Sequence, residues 1–236
     1  MNILHTENLS KKYYHKDGIV DALKNITLTI EKGNFVTITG PSGSGKTTLL
    51  LTLAGLIRPT SGSFSFMNKN LIHVSDSELA QFRRKNVGFI MQSFALIPYL
   101  TAIQNVMMPL ALIKTNKATQ QSKAIEVLES VGMLNRMNHL PRELSAGQQQ
   151  RVAIARALVN SPSIIFADEP TGNLDPGLAI EILDFLKGIN QKNNITVIMV
   201  THSPIAAEYG NLKIKLSNGE LVIDHTNIAK VQEILN

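Results

Sequence analysis

Gly40-Pro41-Ser42-Gly43-Ser44-Gly45-Lys46-Thr47-Thr48 governs how the rest of the chain is read. Four residues separate Gly40 from Gly45-Lys46-Thr47, which is the spacing of a phosphate-binding loop. The preceding Phe35-Val36-Thr37-Ile38-Thr39 is apolar and rich in β-formers, so it predicts a buried strand running into the loop. The following Thr48-Leu49-Leu50-Leu51-Thr52-Leu53-Ala54 has helix-forming leucines and no breaker before Gly55. Strand, glycine loop and helix together are what an anion needs. Glycines let backbone N–H groups approach it, and the helix N-terminus adds the positive end of its dipole. Lys46 is placed to reach the β- and γ-phosphates of a nucleotide, and the Thr47 hydroxyl to hold Mg²⁺. A glycine turn with an incidental lysine would leave the matching flanks unexplained.

The composition is compatible with this reading and closes other routes. With 236 residues, 44% of them hydrophobic, the chain can form one large α/β domain or a core with a smaller subdomain. The 23 basic and 18 acidic residues leave a net charge of +5, which a solvated surface explains as well as nucleic acid does. There is no cysteine, so disulfides and cysteine-held zinc are excluded. The N-terminus lacks a basic-then-apolar signal, and no stretch approaches the roughly 18 uncharged apolar residues of a membrane span. The expectation is a soluble intracellular protein that depends on another chain for any membrane span.

Working outward, Ile3 to Leu9 and Ile26 to Ile30 predict strands, separated by a polar, turn-like segment from Lys11 to Gly18. Tyr13 and Tyr14 in that segment are candidates to stack on adenine. After the phosphate-loop helix, Ser63 to Phe66 alternates as a short strand, and Ser75-Asp76-Ser77-Glu78 opens a helix with a basic end at Arg83-Arg84-Lys85. Val87 to Met91 predicts another buried strand, and Gln92 at its end is a candidate γ-phosphate or Mg²⁺ sensor. An apolar stretch, Ser93 to Leu100, leads to Asn105-Val106-Met107-Met108-Pro109-Leu110. Most of it should be subdomain core, with some exposed surface for a partner. Thr119 to Val131 has helical spacing and stops at Gly132.

Leu144-Ser145-Ala146-Gly147-Gln148 opens a further helix, with Ser145 and Gln148 as a capping box. A cap does not account for Gly147 just inside the helix, where glycine costs about 1 kcal/mol against alanine. Close approach of backbone to a phosphate would account for it. Ser163 to Pro170 is an apolar strand ending in Asp168 and Glu169, as expected of a central parallel strand with its chemistry at the carboxyl end. Asp168 is placed to support Mg²⁺ and Glu169 to orient or deprotonate water. Thr171 to Pro176 reads as a loop and Leu178 to Leu186 as a helix. Ile195 to Val200 reads as a strand ending at Thr201-His202, and Leu212 to Val222 as a hairpin turning at Ser217-Asn218-Gly219. His202 at a strand end could contact the γ-phosphate. The last dozen residues predict a loosely held helix.

Taken in order, these motifs resemble the ATP-binding subunit of an ATP-binding-cassette (ABC) transporter over roughly Ile3 to Val222. The resemblance rests on the phosphate loop, Gln92, Leu144 to Gln148, Ile164 to Glu169, Asn173-Leu174-Asp175 and His202. Within the family it is most similar to the lipoprotein-release and macrolide-exporter branch. The features responsible are Asn105 to Leu110, Ala167 to Asp175 and the extra residues between Tyr14 and Val20. The cell-division ATPase of the same branch is a close neighbour.

The resemblance implies an α/β fold: a P-loop NTPase core with a central, mostly parallel sheet, an N-terminal antiparallel β subdomain and a helical signature subdomain. Core with β subdomain would span 1–91 and 162–224, the helical subdomain 92–161 and a C-terminal tail 225–236. It further implies ATP and Mg²⁺ as ligands. Residues 40–48 and Tyr13 would bind the nucleotide, and Thr47, Gln92 and Asp168 the metal. Glu169, His202 and Gln92 would serve catalysis, and Asn173-Leu174-Asp175 would form the loop beside it. Two cassettes would sandwich two ATP molecules, the phosphate loop of one facing Ser145 and Gly147 of the other. The partners implied are a second copy, or a second ABC ATPase, and integral-membrane permease subunits, with no nucleic acid. The place implied is cytoplasmic, peripheral on the inner face of the cell membrane.

Two positions depart from the family. Ala146 stands where glycine is usual, placing a methyl near the γ-phosphate, and Ser203 follows His202 where aspartate is common. The rival is a non-transport ABC ATPase of cell-division, DNA-repair, chromosome or translation type. The chain has no long coiled-coil insertion, no second cassette and no cysteine–zinc insertion. A P-loop kinase or GTPase has no use for Leu144 to Gln148.

Overall fold

A computed structural model describes residues 1–16, 18–113 and 116–222. Strands β1 (Asn2–His15) and β2 (Gly18–Glu31) lead into β3 (Phe35–Thr39), the phosphate loop and helix α1 (Lys46–Leu53). Next come β4 (Ser61–Phe66), the short β5 (Lys69–Asn70), α2 (Asp76–Asn86) and β6 (Val87–Met91). Three helices follow, α3 (Ala102–Ala111), α4 (Lys117–Ser130) and α5 (Ala146–Leu158). The chain then returns through β7 (Ile164–Asp168), α6 (Pro176–Asn193), β8 (Thr196–Val200), α7 (Pro204–Ala207) and the hairpin β9 (Leu212–Ser217) and β10 (Glu220–Val222).

These strands make two sheets. One is antiparallel in the order β2-β1-β4-β5; the other runs β10-β9-β3-β8-β7-β6 and is parallel except for β10. The predicted α/β class, with its mostly parallel sheet and N-terminal antiparallel sheet, is what forms. Alternation along the parallel strands divides the core into two layers. Val36, Ile38, Ile164, Phe166, Ile198 and Val200 face Leu49, Leu50 and Leu53 of α1 and the antiparallel sheet. Phe35, Ile165, Ala167, Val197 and Met199 face Ile182, Leu183 and Leu186 of α6. At about 1.5–3 kcal/mol per fully buried large side chain, this two-sided burial is why β3, β7 and β8 read as unbroken apolar runs. A third cluster joins α3, α4 and α5 through Val106, Leu110, Ala124, Leu128, Val152 and Ala155.

Two expectations need correction. Lys11 to Gly18 is not a loop, because β1 continues to His15 and β2 begins at Gly18. Tyr13 pairs with Val20, Tyr14 with Ile19, and Lys12 forms an ion pair with Asp21 at 3.3 Å. Tyrosine, valine and isoleucine fit a pleated surface whatever the polarity around them. The helix expected over Leu178 to Leu186 runs from Pro176 to Asn193. It passes through Gly188 because Ile189 and Asn190 continue the buried stripe begun by Ile182, Leu183 and Leu186. The apolar stretch around Met107 is helical despite Pro109. Thr101 and Gln104 cap its start, and Asn105, Val106 and Leu110 are buried in it. The expected C-terminal helix lies outside the described residues.

Candidate nucleotide site

The phosphate loop leaves β3 in a conformation that glycine makes possible. Gly40 and Gly45 have φ of 152° and 100°. A Cβ at Gly40 would strike the Leu216 carbonyl oxygen, and one at Gly45 the Ala22 carbonyl oxygen. Both positions therefore combine positive φ with close backbone packing. Lys46 opens α1 and is only 5% exposed. Its side chain curls back over the loop, where Nζ donates to the carbonyls of Gly40 at 2.9 Å and Pro41 at 2.8 Å. Burial pulls its pKa below the usual lysine value, and the charges of Glu169 and Asp168 oppose that shift. Ser44 Oγ is buried in the same loop with no hydrogen-bond partner among the described residues. Pro41, Ser42 and Gly43 form the exposed crest of the loop, and Thr47 and Thr48 lie in the first turn of α1.

Adjacent parallel strands bring the remaining groups to the same end of the sheet. Thr47 Oγ1 donates to Asp168 Oδ1 at 3.4 Å, joining α1 to the end of β7. The Asp168 carboxyl is pushed above the usual aspartate range by burial and by the neighbouring Glu169. The Thr47 hydrogen bond, Lys46 and His202 pull the other way. Glu169 has φ 46°, a left-handed conformation costing about 1–3 kcal/mol in a residue other than glycine. Its N–H donates to Val200 O and its carbonyl accepts from Gly172 N, each at 3.0 Å. That posture sets Glu169 Oε1 3.1 Å from Nε2 of His202, just past β8. Beside them opens a cavity of about 440 Å³ lined by Leu174, Ile180, Leu183 and Ile205.

Gln92, just past β6, meets the segment after Glu169. Asn173 Nδ2 donates to the Gln92 carbonyl at 2.9 Å, and Gln92 Nε2 donates to Asn173 Oδ1 at 3.4 Å. Leu174 packs against the α6 core, and Asp175 caps α6 by accepting from Leu178 N at 3.0 Å. Tyr13 is half-buried, with Lys11 Nζ 5.1 Å from its ring centroid; Tyr14, on the opposite face of β1, is 69% exposed.

Leu144 is buried in the helical core, while Ser145 and Ala146 are exposed. Ser145 and Gln148 form the predicted capping box. Among the described residues no hydrogen bond joins this helix start to the phosphate loop. Gly147 is buried, and a Cβ there would lie 2.5 Å from a methyl of Leu178. Packing against α6 within one chain thus puts the end of the Leu178 side chain where a Cβ would stand, a second reason for glycine beside the phosphate approach that the sequence suggests.

Two residues of α5 escaped the sequence reading. Gln150 is fully buried and donates from Nε2 to the Pro170 carbonyl at 2.5 Å, tying α5 to the turn after Glu169. Arg156 holds the carbonyls of Phe94 and Ala95. The available signal was a glutamine on the buried stripe that continues through Ala153, Ile154 and Ala157.

A glycine loop and carboxylates gathered at the carboxyl ends of neighbouring parallel strands define a phosphate-loop NTPase. Residues 23–172 match the family described as ABC transporter, and the chain belongs to that family, as an ATP-binding subunit that hydrolyses ATP. It is 42% identical over 223 residues to the lipoprotein-releasing system ATP-binding protein LolD of Geobacter metallireducens, covering 94% of this chain and 99% of the relative. It is 44% identical over 222 residues to the macrolide export ATP-binding/permease protein MacB of Bdellovibrio bacteriovorus, covering 94% of this chain and 34% of that longer protein. Among solved structures, the ATP-binding cassette MJ0796, in a dimeric post-hydrolysis state bound to ADP and Pi, superposes with a TM-score of 0.86. Identity there is 41%, covering 94% of this chain and 97% of the other.

Proposed function

We propose that the chain is the ATP-hydrolysing subunit of a transporter of the lipoprotein-release or macrolide-export kind. It would work as a dimer bound to integral-membrane permease subunits on the inner face of the membrane. The observation that carries the catalytic part is the Glu169–His202 pair, 3.1 Å apart and one residue from the Asp168–Thr47 contact. In this reading Lys46 and the loop 40–48 bind the phosphates, and Tyr13 stacks on adenine. Glu169 accepts the proton of the attacking water, and His202 orients Glu169 and meets the γ-phosphate. Gln92, tied to Asn173, senses the same phosphate.

The donor set fits a divalent cation, since the Thr47 hydroxyl, the Asp168 carboxylate and the Gln92 amide are hard oxygen ligands. Among the described residues no group of three or more His, Cys, Asp or Glu could hold a metal. Such a cation therefore shares its shell with the nucleotide, whose phosphate charge it neutralises when bound. The same residues could serve a non-transport ATPase. Among the described residues no helix is long and apolar enough to cross a membrane, so a permease must be a separate chain or a segment outside them.

The test has two parts. Magnesium-dependent phosphate release by the full chain should disappear on adding a chelator. The tagged chain should copurify from detergent-solubilised membranes with a stoichiometric integral-membrane protein that stimulates its hydrolysis. Copurification with nucleic acid instead would sink the transport reading.

A further inference from the structure

The segment after Gln92 contains two consecutive residues in the left-handed region, Phe94 at φ 59° and Ala95 at φ 49°. Neither is glycine, so the pair is strained and persists only where surrounding contacts over-determine it. The contacts come from α5. Arg156 Nη2 donates to the Phe94 carbonyl at 2.8 Å and Nη1 to the Ala95 carbonyl at 2.5 Å. No carboxylate pairs with Arg156 among the described residues, and burial draws its pKa below the usual arginine value. A desolvated guanidinium without a counter-ion is costly, and its forked geometry suits two converging carbonyls. The segment is pinned on both sides as well. Asn173 holds the Gln92 carbonyl, and the fully buried Asn105 binds the backbone of Ile97, Leu100 and Thr101. Arg156 thus grips the one stretch between these pins whose conformation is unfavourable by itself.

We propose that Arg156 is a positioning residue for ATP hydrolysis. By clamping the left-handed pair Phe94-Ala95 it sets Gln92 in the site and makes the Gln92 segment move with α5. The same helix begins at Ser145, eleven residues earlier or about 16 Å along its axis, and contacts the turn after Glu169 through Gln150. A displacement of its N-terminus is therefore delivered to Gln92 through Arg156. The inference rests on the role given above to Gln92, and it adds the residue that makes that role depend on α5.

The experiment compares steady-state hydrolysis by the full chain in wild type, Arg156→Met, Arg156→Lys, Ala95→Gly and the two double variants. Arg156→Met should lower kcat about 10–100-fold, the loss expected from misplacing a reacting group by about 1 Å. The KM for ATP should stay within about twofold, because Tyr13 and Lys46 are untouched. Arg156→Lys keeps the cation but loses the fork, so its kcat should fall between those of Met and wild type. It carries the test if the Met variant does not fold. Ala95 is exposed, and glycine there removes half of the left-handed strain. Ala95→Gly should consequently restore kcat several-fold in either Arg156 background while changing it little alone.

A kcat in both Arg156 variants equal to wild type would overturn the proposal. So would a fall in kcat with a matching rise in KM, a lowered melting temperature and no recovery from Ala95→Gly, since that is the pattern of a structural arginine. The reading of Gln92 is checked separately: if Gln92→Ala hydrolyses at the wild-type rate, that role fails whatever Arg156 does.

Discussion

At Glu169 a strained backbone and a catalytic assignment coincide. The left-handed φ aims the carboxylate away from the strand and toward His202, and the two backbone hydrogen bonds to Val200 and Gly172 hold it there. Glu169→Gln preserves volume and removes the proposed base. Phosphate release should fall about 10²–10⁴-fold while ATP binding persists. Single-turnover hydrolysis with an equilibrium binding assay on the same sample checks both halves. Tyr13 and Tyr14 give a second contrast between neighbours. They project to opposite faces of β1, and only Tyr13 is half-buried beneath Lys11. Stacking is worth about 1–3 kcal/mol, so Tyr13→Ala should weaken ATP binding several-fold or more, and Tyr13→Phe and Tyr14→Ala should not. Equal losses from the two alanine variants would remove the assignment.

The element that joins most of the site is α5. Its start is capped by Ser145, its buried face carries Gln150 to Pro170, and its last turns carry Arg156 to Phe94 and Ala95. Its contact with α6 is close enough that a methyl at Gly147 would have to displace the end of the Leu178 side chain. Gly147→Ala should therefore destabilise the nucleotide-free protein by about 1–3 kcal/mol through overpacking. Leu178→Ala in the same chain should recover part of the loss. Urea unfolding without ATP measures this, and an unchanged midpoint would return the glycine to phosphate binding as its main reason.

At the scale of the whole molecule, the phosphate loop and the start of α5 are two candidate anion-binding features that one chain does not connect by any hydrogen bond among the described residues. If a nucleotide bridges them between two copies, Lys46→Ala damages one half of each site and Ser145→Arg the other. Each variant alone has two defective sites. A one-to-one mixture forms a heterodimer with one site carrying both lesions and one carrying neither. In a Glu169→Gln background, ATP should dimerise the mixture better than either variant, as read by light scattering. A mixture as monomeric as its components would leave Ser145 as a helix cap and nothing more.

The phosphate loop, the acid pair after an apolar run and the capping box were all legible as local spacing, because each depends on residues within one or two turns of chain. The near-continuous apolar runs of β3, β7 and β8 likewise carried the parallel sheet, since both faces of those strands are buried. Local polarity misled where long-range pairing won, as at Lys11 to His15, which Val20 and Ile19 draw into β1. At Gly147 local spacing showed the phosphate reading but not the Leu178 side chain of the next helix, a methyl of which lies 2.5 Å from where a Cβ would stand. The 3.1 Å approach of Glu169 to His202, the Asn173–Gln92 contact and the Arg156 clamp join residues far apart in the chain. No sequence spacing encodes them, because they exist only once strand order and helix packing have set which chain ends become neighbours.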